Sequence, residues 1–214
     1  MLTYCIAAAR LDTCSWIELI EGITAKVRES DIPSEEVWES FFEPFEVLSA
    51  LGIDGTVADV AEFGSGYGTF TIPAAMLISG TVYAIDIEPE MINRVKERAR
   101  GRGLKNVVFL LRDFIADGSG LCDTSVDYVM LFNILHDERP ERMLNEAYRI
   151  LRPRGSVGII HWNYDSSTPR GPPMDIRPKP EQCHEWALKA GFAYVSSHDL
   201  QPYHYGFVFA KPEA

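Results

Sequence analysis

The fold of this chain is decided by residues 57–70, which read VADVAEFGSGYGTF. The apolar run contains Glu62 near its end, and three glycines follow at alternate positions, Gly64, Gly66 and Gly68. This order predicts a buried parallel strand that enters a tight turn and then a helix N-terminus. Glycine can adopt positive φ in such a turn, and its missing Cβ lets a ligand approach the backbone closely. The stretch therefore predicts a ligand site at the end of a strand.

The spacing of the glycines separates this turn from the dinucleotide fingerprint. In G-x-G-x-x-G the third glycine stands three positions after the second, and here that position is Thr69. The chain instead reads acidic-x-G-x-G-x-G from Glu62 to Gly68. This pattern resembles motif I of the class I S-adenosylmethionine-dependent methyltransferases.

The length of the chain suits one α/β domain with a sizeable core, and its composition is that of a globular protein. The chain has 214 residues, of which 46% are hydrophobic and 24% charged, and both fractions are ordinary for a globular protein. A formal net charge of −11 disfavours nucleic acid and anionic membrane surfaces as partners. The apolar opening, residues 1–9, is too short to span a bilayer and makes a poor secretion signal.

The four cysteines, at positions 5, 14, 122 and 183, form no C-x-x-C pair. Cys183 and His184 are adjacent, so on a helix they point in different directions and would chelate a metal poorly. We predict free thiols in a reducing cytoplasm and no metal site.

Strand and helix patterns alternate after position 57. Strands are predicted at 57–63, 81–86, 106–111, 126–132 and 154–161, and helices near 67–79, 89–101, 138–151 and 180–190. This βαβα order with nearly continuous apolar strands predicts a parallel sheet covered on both faces. Helices are also predicted over 1–30 and about 37–51, the second kinked at Pro44; its aromatic face packs on the sheet or touches substrate. We therefore divide the chain into an N-terminal helical cap, 1–52, and a binding domain, 53–214, within one compact unit.

The C-terminal end differs from this alternation. Residues 192–200 and 203–211 are β-rich and joined by Gln201-Pro202 alone, a link that can form a hairpin but no parallel crossover. The methyltransferase resemblance implies such an ending: a three-layer, Rossmann-like α/β fold whose mostly parallel seven-stranded sheet has an antiparallel C-terminal strand. A dehydrogenase does not require the hairpin.

A second resemblance lies in residues 126–137, VDYVMLFNILHD, and 144–156, LNEAYRILRPRGS. These stretches are similar to the small-molecule methyltransferases of ubiquinone and menaquinone biosynthesis, which carry E-x-x-R-x-L-x-P-G-G. The chain keeps Glu146, Arg149, Leu151, Pro153 and Gly155 of that pattern. Arg154 replaces the first glycine in the turn predicted before the fifth strand, away from the expected cofactor.

Polar residues at strand ends predict the cofactor site. Asp86 follows the second strand, about twenty residues after the glycine turn, where a carboxylate can accept two hydrogen bonds from a ribose diol. A helix N-cap is the weaker interpretation, since Glu88 lies closer to the next helix. The resemblance implies S-adenosylmethionine, with Glu62 at its methionine amino group, Asn133 at its methionine end and Asp113 at its adenine. Alternatively, Asp113 is an acid in a surface turn. The complete predicted set is Glu62, Gly64, Ser65, Gly66, Tyr67, Gly68, Asp86, Ile87, Met91, Asp113, Phe114 and Asn133.

The reaction that the resemblance implies is in-line transfer of an activated methyl group to a small-molecule acceptor. Such catalysis is mostly positioning in a dry cavity. His136, after the fourth strand, is the predicted general base because its ordinary pKa suits proton transfer near neutrality. Alternatively it bonds the backbone or begins the next helix.

The segment after the fifth strand, residues 161–180, contains five prolines and is predicted to be an ordered loop. It leaves the sheet at the edge where the cofactor is expected, and loops there commonly select substrate. The predicted substrate residues are His161, Trp162, Tyr164, Arg170, Asp175 and Arg177. The two arginines could hold an anionic group, or they pair with the protein's own acids in a structural loop.

Two other functions remain open at this point: a nicotinamide-dependent oxidoreductase of Rossmann type, and a non-catalytic protein that binds S-adenosylmethionine. Thr69 and the closing hairpin oppose the first. Neither the acceptor atom nor the oligomeric state is specified by these residues.

Overall fold

The computed structural model describes residues 33–213. The helix predicted over 1–30 lies outside them, and the division into 1–52 and 53–214 stays a prediction. The single kinked helix predicted near 37–51 is wrong: the chain forms two short helices, α1 (Glu35–Glu39) and α2 (Pro44–Ala50). Because proline disfavours helical geometry in the residue before it, Glu43 has φ −105° and ψ 87°.

Seven strands form one sheet in the order β3-β2-β1-β4-β5-β7-β6. They are β1 (Val60–Phe63), β2 (Val82–Asp86), β3 (Val107–Leu111), β4 (Val126–Phe132), β5 (Leu151–Trp162), β6 (Ala193–Leu200) and β7 (His204–Ala210). β7 runs antiparallel to both β5 and β6, and the other neighbours pair in parallel. The predicted fold class is confirmed, including the hairpin at the end.

Four further helices connect the strands: α3 (Thr71–Leu77), α4 (Pro89–Gly101), α5 (Pro140–Ile150) and α6 (Pro180–Lys189). Three of them begin at a proline, which lacks only a hydrogen-bond donor that the first turn does not use. α3 begins four residues later than the predicted 67. Gly68 adopts φ +81°, so the turn must end before helical geometry can start.

Both faces of the central strands of the sheet are buried. Leu131 and Ile159 pack with residues of α5 and α6, whereas Met130 and Ile160 pack with α2 and α3. Alternate side chains of a strand point to opposite faces, which explains the nearly continuous apolar runs of the parallel strands. Among residues 33–213, no helix is long and apolar enough to cross a membrane.

Arg154 occupies a backbone conformation that favours glycine. β5 begins at Leu151 rather than at the predicted 154, and its register with β4 shifts before Ser156. Arg154 lies in this irregular stretch with φ +66°, which explains why the related pattern has glycine there.

Arg154→Gly is expected to raise the free energy of unfolding by about 0.5–1 kcal/mol, since glycine carries no left-handed penalty. The lost ion pair with Glu213 is exposed and contributes little. Urea unfolding measures the effect. Arg154→Ala is the control because it also removes the ion pair but keeps the strain, and equal stability of the two variants would contradict the explanation.

Candidate active site

A cavity of about 440 Å³ opens at the carboxyl ends of β1, β2, β4 and β5, the edge where an open parallel sheet binds ligands. The structure brings many of the predicted site residues together there. Those that line the cavity are Glu62, Gly64, Ser65, Gly66, Tyr67, Asp86, Ile87, Met91, Phe114, Asn133, His136, Trp162 and Arg170.

The glycine turn forms the floor of the cavity after β1. Gly64 has φ +75°, and a Cβ there would stand 2.7 Å from the side chain of Ile134. Gly68 does not line the cavity; a Cβ on it would stand 3.2 Å from Val95 of α4. Its prediction as a ligand contact is therefore replaced by a packing role, because it lets the turn lie against α4.

Asp86 is fixed at the edge of this turn. One of its carboxylate oxygens accepts a hydrogen bond from the Gly66 N–H at 2.8 Å, and the other accepts from the Glu88 N–H at 2.9 Å. Burial raises the pKa of Asp86, and these backbone hydrogen bonds oppose that rise. Each oxygen keeps a lone pair for a further donor, so the carboxylate can both organise the turn and accept hydrogen bonds from a ligand.

Glu62 lies on the other side of the turn and is buried. Its carboxyl accepts a hydrogen bond from the Thr71 hydroxyl. Burial raises the pKa of Glu62 to about 8, opposed by the Thr71 hydrogen bond and assisted by the negative charge of Asp86. A cationic ligand group would favour the ionised form that burial disfavours.

The raised pKa of Glu62 predicts a measurable pH dependence of stability. The folded protein keeps this proton up to about pH 8, whereas the ordinary value is 4.5. Between these values the folded state binds more protons than the unfolded chain, so stability falls as pH rises, by up to about 1.4 kcal/mol per pH unit. Glu62→Gln removes the titration but keeps an acceptor for Thr71. Between pH 5 and 8.5, urea unfolding is expected to show a steeper fall in the free energy of unfolding for the wild type than for Glu62→Gln. Parallel curves for the two proteins would refute the raised pKa of Glu62.

Several buried polar atoms at the cavity wall lack a hydrogen-bond partner among residues 33–213. They are Ser65 Oγ, Thr69 Oγ1, and both amide atoms of Asn133, whose φ is +56°. An unsatisfied buried polar group costs about 1–3 kcal/mol, so this wall suits a ligand with its own donors and acceptors. Thr69 was not predicted as a contact; its only signal was its position inside the glycine motif.

Asp113 does not reach the cavity wall. One of its oxygens accepts hydrogen bonds from the N–H groups of Ile115 and Ala116, at 3.0 and 2.9 Å. The neighbouring Phe114 lines the cavity instead, with its ring centroid 5.0 Å from that of Phe63. Phe114 is thus the cavity-lining residue of this pair, while Oδ1 of Asp113 holds the local turn and its buried Oδ2 has no hydrogen-bond partner among residues 33–213. The adenine contact stays a prediction.

The loop after β5, residues 163–178, is here called the strap, and Arg177 organises it. Its buried guanidinium donates to the carbonyl oxygens of Asn163, Asp165, Arg170 and Pro172 and to the Thr168 hydroxyl, at 2.7–3.3 Å. Burial lowers the pKa of Arg177, and these five acceptors stabilise the buried guanidinium by accepting its N–H hydrogen bonds. The structure contradicts Arg177 as a substrate contact and supports the alternative of a structural arginine, with backbone carbonyls rather than acids as its partners.

Three other predicted substrate residues lie outside the cavity wall. His161 is fully buried, its Nδ1 accepts from the Trp162 N–H, and burial holds its pKa well below the ordinary value. Tyr164 is exposed beside the Lys179 ammonium, and Asp175 is exposed on the strap. Adjacent strand residues face opposite sides of a sheet, so Trp162 reaches the cavity and His161 does not.

The roof of the cavity comes from α1 and the residues before it. Trp38 and Pro33 line the cavity, and Trp38 lies 6.5 Å from Trp162 between ring centroids. α1 has no buried residue. Its acids pair with two arginines of α4: Glu35 with Arg94 and Arg98 at 2.7 and 3.1 Å, and Glu39 with Arg98 at 2.6 Å. The aromatic residues near 37–51 thus pack against the core, and one of them, Trp38, also lines the cavity.

A glycine turn after β1, a fixed carboxylate after β2 and an antiparallel closing hairpin define a methyltransferase-type α/β fold with a nucleoside-sized cavity. A family model described as a methyltransferase domain matches residues 57–200. The chain belongs to this family.

Individual relatives agree with the family. The chain is 30% identical over 116 residues to the arsenite methyltransferase of Halobacterium salinarum, covering 53% of this chain and 29% of that protein. It is 32% identical over 123 residues to the mitochondrial 2-methoxy-6-polyprenyl-1,4-benzoquinol methylase of Arabidopsis thaliana, covering 52% and 42%. Thus the chain spans less than half the length of both curated relatives. A SAM-dependent methyltransferase structure from Aquifex aeolicus superposes with a TM-score of 0.73 at 25% identity, covering 83% of this chain and 94% of that chain.

Proposed function

We propose that the protein transfers a methyl group from S-adenosylmethionine to a small-molecule acceptor. The observation that carries this proposal is the pair of buried carboxyl groups, Glu62 and Asp86, on either side of the glycine turn. An oxidoreductase would also use Asp86. A cation would favour the ionised form of the buried Glu62, and the ammonium of a methionine moiety, which a nicotinamide dinucleotide lacks, is such a cation.

The residues present fit this cofactor, which supplies a methyl group activated on a sulfonium. Asp86 would accept hydrogen bonds from the ribose hydroxyls and Glu62 would neutralise the ammonium. Ser65, Thr69 and Asn133 would satisfy their orphaned polar atoms at the same end, and Phe114 would cover the adenine. The aromatic walls exclude water, which strengthens these electrostatic contacts.

His136 is the proposed general base, because it lines the cavity four residues after the end of β4 and imidazole is the side chain that most often transfers protons in catalysis. His136→Ala is expected to lower turnover by about 10²–10⁴-fold if the acceptor arrives protonated. Affinity for S-adenosylhomocysteine, the demethylated cofactor, should stay unchanged. Steady-state kinetics and calorimetry measure the two; unaltered turnover would remove His136 from the reaction.

Binding of S-adenosylmethionine, S-adenosylhomocysteine and NAD, each measured by thermal shift, tests the proposed function. Stabilisation by the first two is expected, and stabilisation by NAD alone would refute the proposal in favour of an oxidoreductase. Labelled methyl transfer to a metabolite extract distinguishes an enzyme from a non-catalytic binder. The cytoplasmic location stays a prediction from the cysteines and from the poor match of residues 1–9 to a secretion signal.

A further inference from the structure

The cavity has two chemically different ends. Glu62, Asp86 and Glu88 lie at the ends of β1 and β2, whereas Trp162 ends β5. In the strand order β2-β1-β4-β5, three intervals separate β2 from β5, which is roughly 14 Å. If the cofactor occupies the β1–β2 end, as proposed above, the β4–β5 end receives the acceptor.

The walls of the acceptor end are aromatic. Trp38, Phe132 and Trp162 line it, with Pro172 of the strap beside them. The Trp162 ring is held by Phe41 at 5.2 Å and by His204 at 4.2 Å between centroids. Rigid flat walls of this kind match a flat, apolar ligand body.

Arg170 brings a positive charge to this end. Among the described lining residues it is the only arginine or lysine, and no carboxylate of residues 33–213 forms a salt bridge with it. Two acids of the strap, Asp165 and Asp175, are close in sequence yet do not pair with it. In a chain of net charge −11, a guanidinium at a cavity that forms no salt bridge within residues 33–213 is available to a ligand.

The backbone that carries Arg170 is fixed. Its carbonyl accepts from the Arg177 guanidinium at 3.3 Å and from the Thr168 hydroxyl at 3.0 Å. The next residue, Gly171, lies so close to Trp162 that a Cβ would stand 2.8 Å from the indole Cγ. The strap is thus pinned against the aromatic wall, which holds the base of the Arg170 side chain beside the acceptor end.

We propose that the methyl acceptor is a flat aromatic molecule bearing a carboxylate, and that Arg170 selects it. The aromatic walls take the ring, and the guanidinium fork pairs with the carboxylate, for which its geometry is suited. Arg170 is a specificity residue; the reacting atoms lie further inside the cavity.

A matched pair of probes tests this selection. We would measure binding of 2-naphthoate and 2-naphthamide, which share size and ring but differ in charge, by calorimetry with and without S-adenosylhomocysteine. The wild type is expected to bind 2-naphthoate at least about tenfold more tightly than 2-naphthamide. Arg170→Gln should bring the ratio of the two dissociation constants close to one. Arg102→Gln, at an exposed arginine after α4, is the control and should keep the wild-type ratio.

The outcomes separate this inference from the proposed function. Equal affinity of the two probes for the wild type, no binding of 2-naphthoate, or a ratio unchanged by Arg170→Gln overturns the acceptor class. Binding of S-adenosylhomocysteine in that case leaves the proposed function standing. Selective binding of 2-naphthoate without any binding of S-adenosylhomocysteine supports the anion site and refutes the cofactor.

Discussion

Asp86→Ala is expected to weaken S-adenosylhomocysteine binding roughly 5- to 150-fold, or about 1–3 kcal/mol. The substitution removes both ribose acceptors. It also removes the acceptor of the hydrogen bonds that the N–H groups of Gly66 and Glu88 donate. The glycine turn therefore loses two stabilising hydrogen bonds at the same time. Isothermal titration calorimetry measures the affinity directly.

Asp86→Asn separates the two contributions. The asparagine keeps one oxygen acceptor for the backbone but replaces the other with a donor, so an intermediate affinity is expected. Urea unfolding of both variants without ligand reports how much the hydrogen bonds of Asp86 to the backbone contribute to the free energy of unfolding. Unchanged affinity in Asp86→Ala would mean that the ribose does not lie at this carboxylate.

Gly158→Ala is expected to lower the free energy of unfolding by about 2–4 kcal/mol, from overpacking and a disturbed hydrogen bond. A Cβ on Gly158 would stand 2.3 Å from the Tyr128 hydroxyl and 3.0 Å from two carbons of its ring. Tyr128 cannot move aside freely, because it is buried and its hydroxyl donates to the Leu51 carbonyl at 2.8 Å. Denaturant unfolding gives the measurement.

A double-mutant cycle identifies the cause of this loss. Tyr128→Phe removes the oxygen that the new methyl group would meet, so the double variant is expected to be destabilised by less than the sum of the single variants. Gly101→Ala is the matched control. A Cβ there meets nothing within 4 Å, and alanine suits the end of a helix better than glycine. Additive losses at Gly158 and Tyr128 would contradict the steric explanation.

The fold could be predicted from the sequence because its signals are local. α4 spans the predicted residues 89–101, since Pro89 suits a helix start and the apolar positions recur on one face. The apolar runs near 82–86 and 126–132 are strands buried on both faces. Because nearly every residue in them is apolar, their burial could be predicted from the sequence. The predicted 37–51 helix failed because Pro44 divides it, although proline there also suits the first turn of a new helix.

Placement at the cavity could be predicted where a residue stands at a strand end, as for Asp86 and Glu62; their roles toward a ligand stay proposals. Placement could not be predicted where it depends on the direction of a side chain. Arg177 and Arg170 stand on the same strap and look alike in sequence, yet one points into the loop and the other lines the cavity. Asp113 is drawn to N–H groups two and three residues away, a competition between local and ligand hydrogen bonds that strand order cannot reveal.

The attachment of α1 bears on how ligands reach the cavity. A helix without a buried residue, attached through Trp38 and through ion pairs to α4, is expected to open at a lower free energy than strands enclosed on both faces. The floor of the cavity belongs to the sheet and the roof to this helix, which meets α4 through Glu35, Glu39, Arg94 and Arg98. We therefore expect ligands to enter and leave the cavity by displacement of α1, while the sheet that forms the floor keeps its shape.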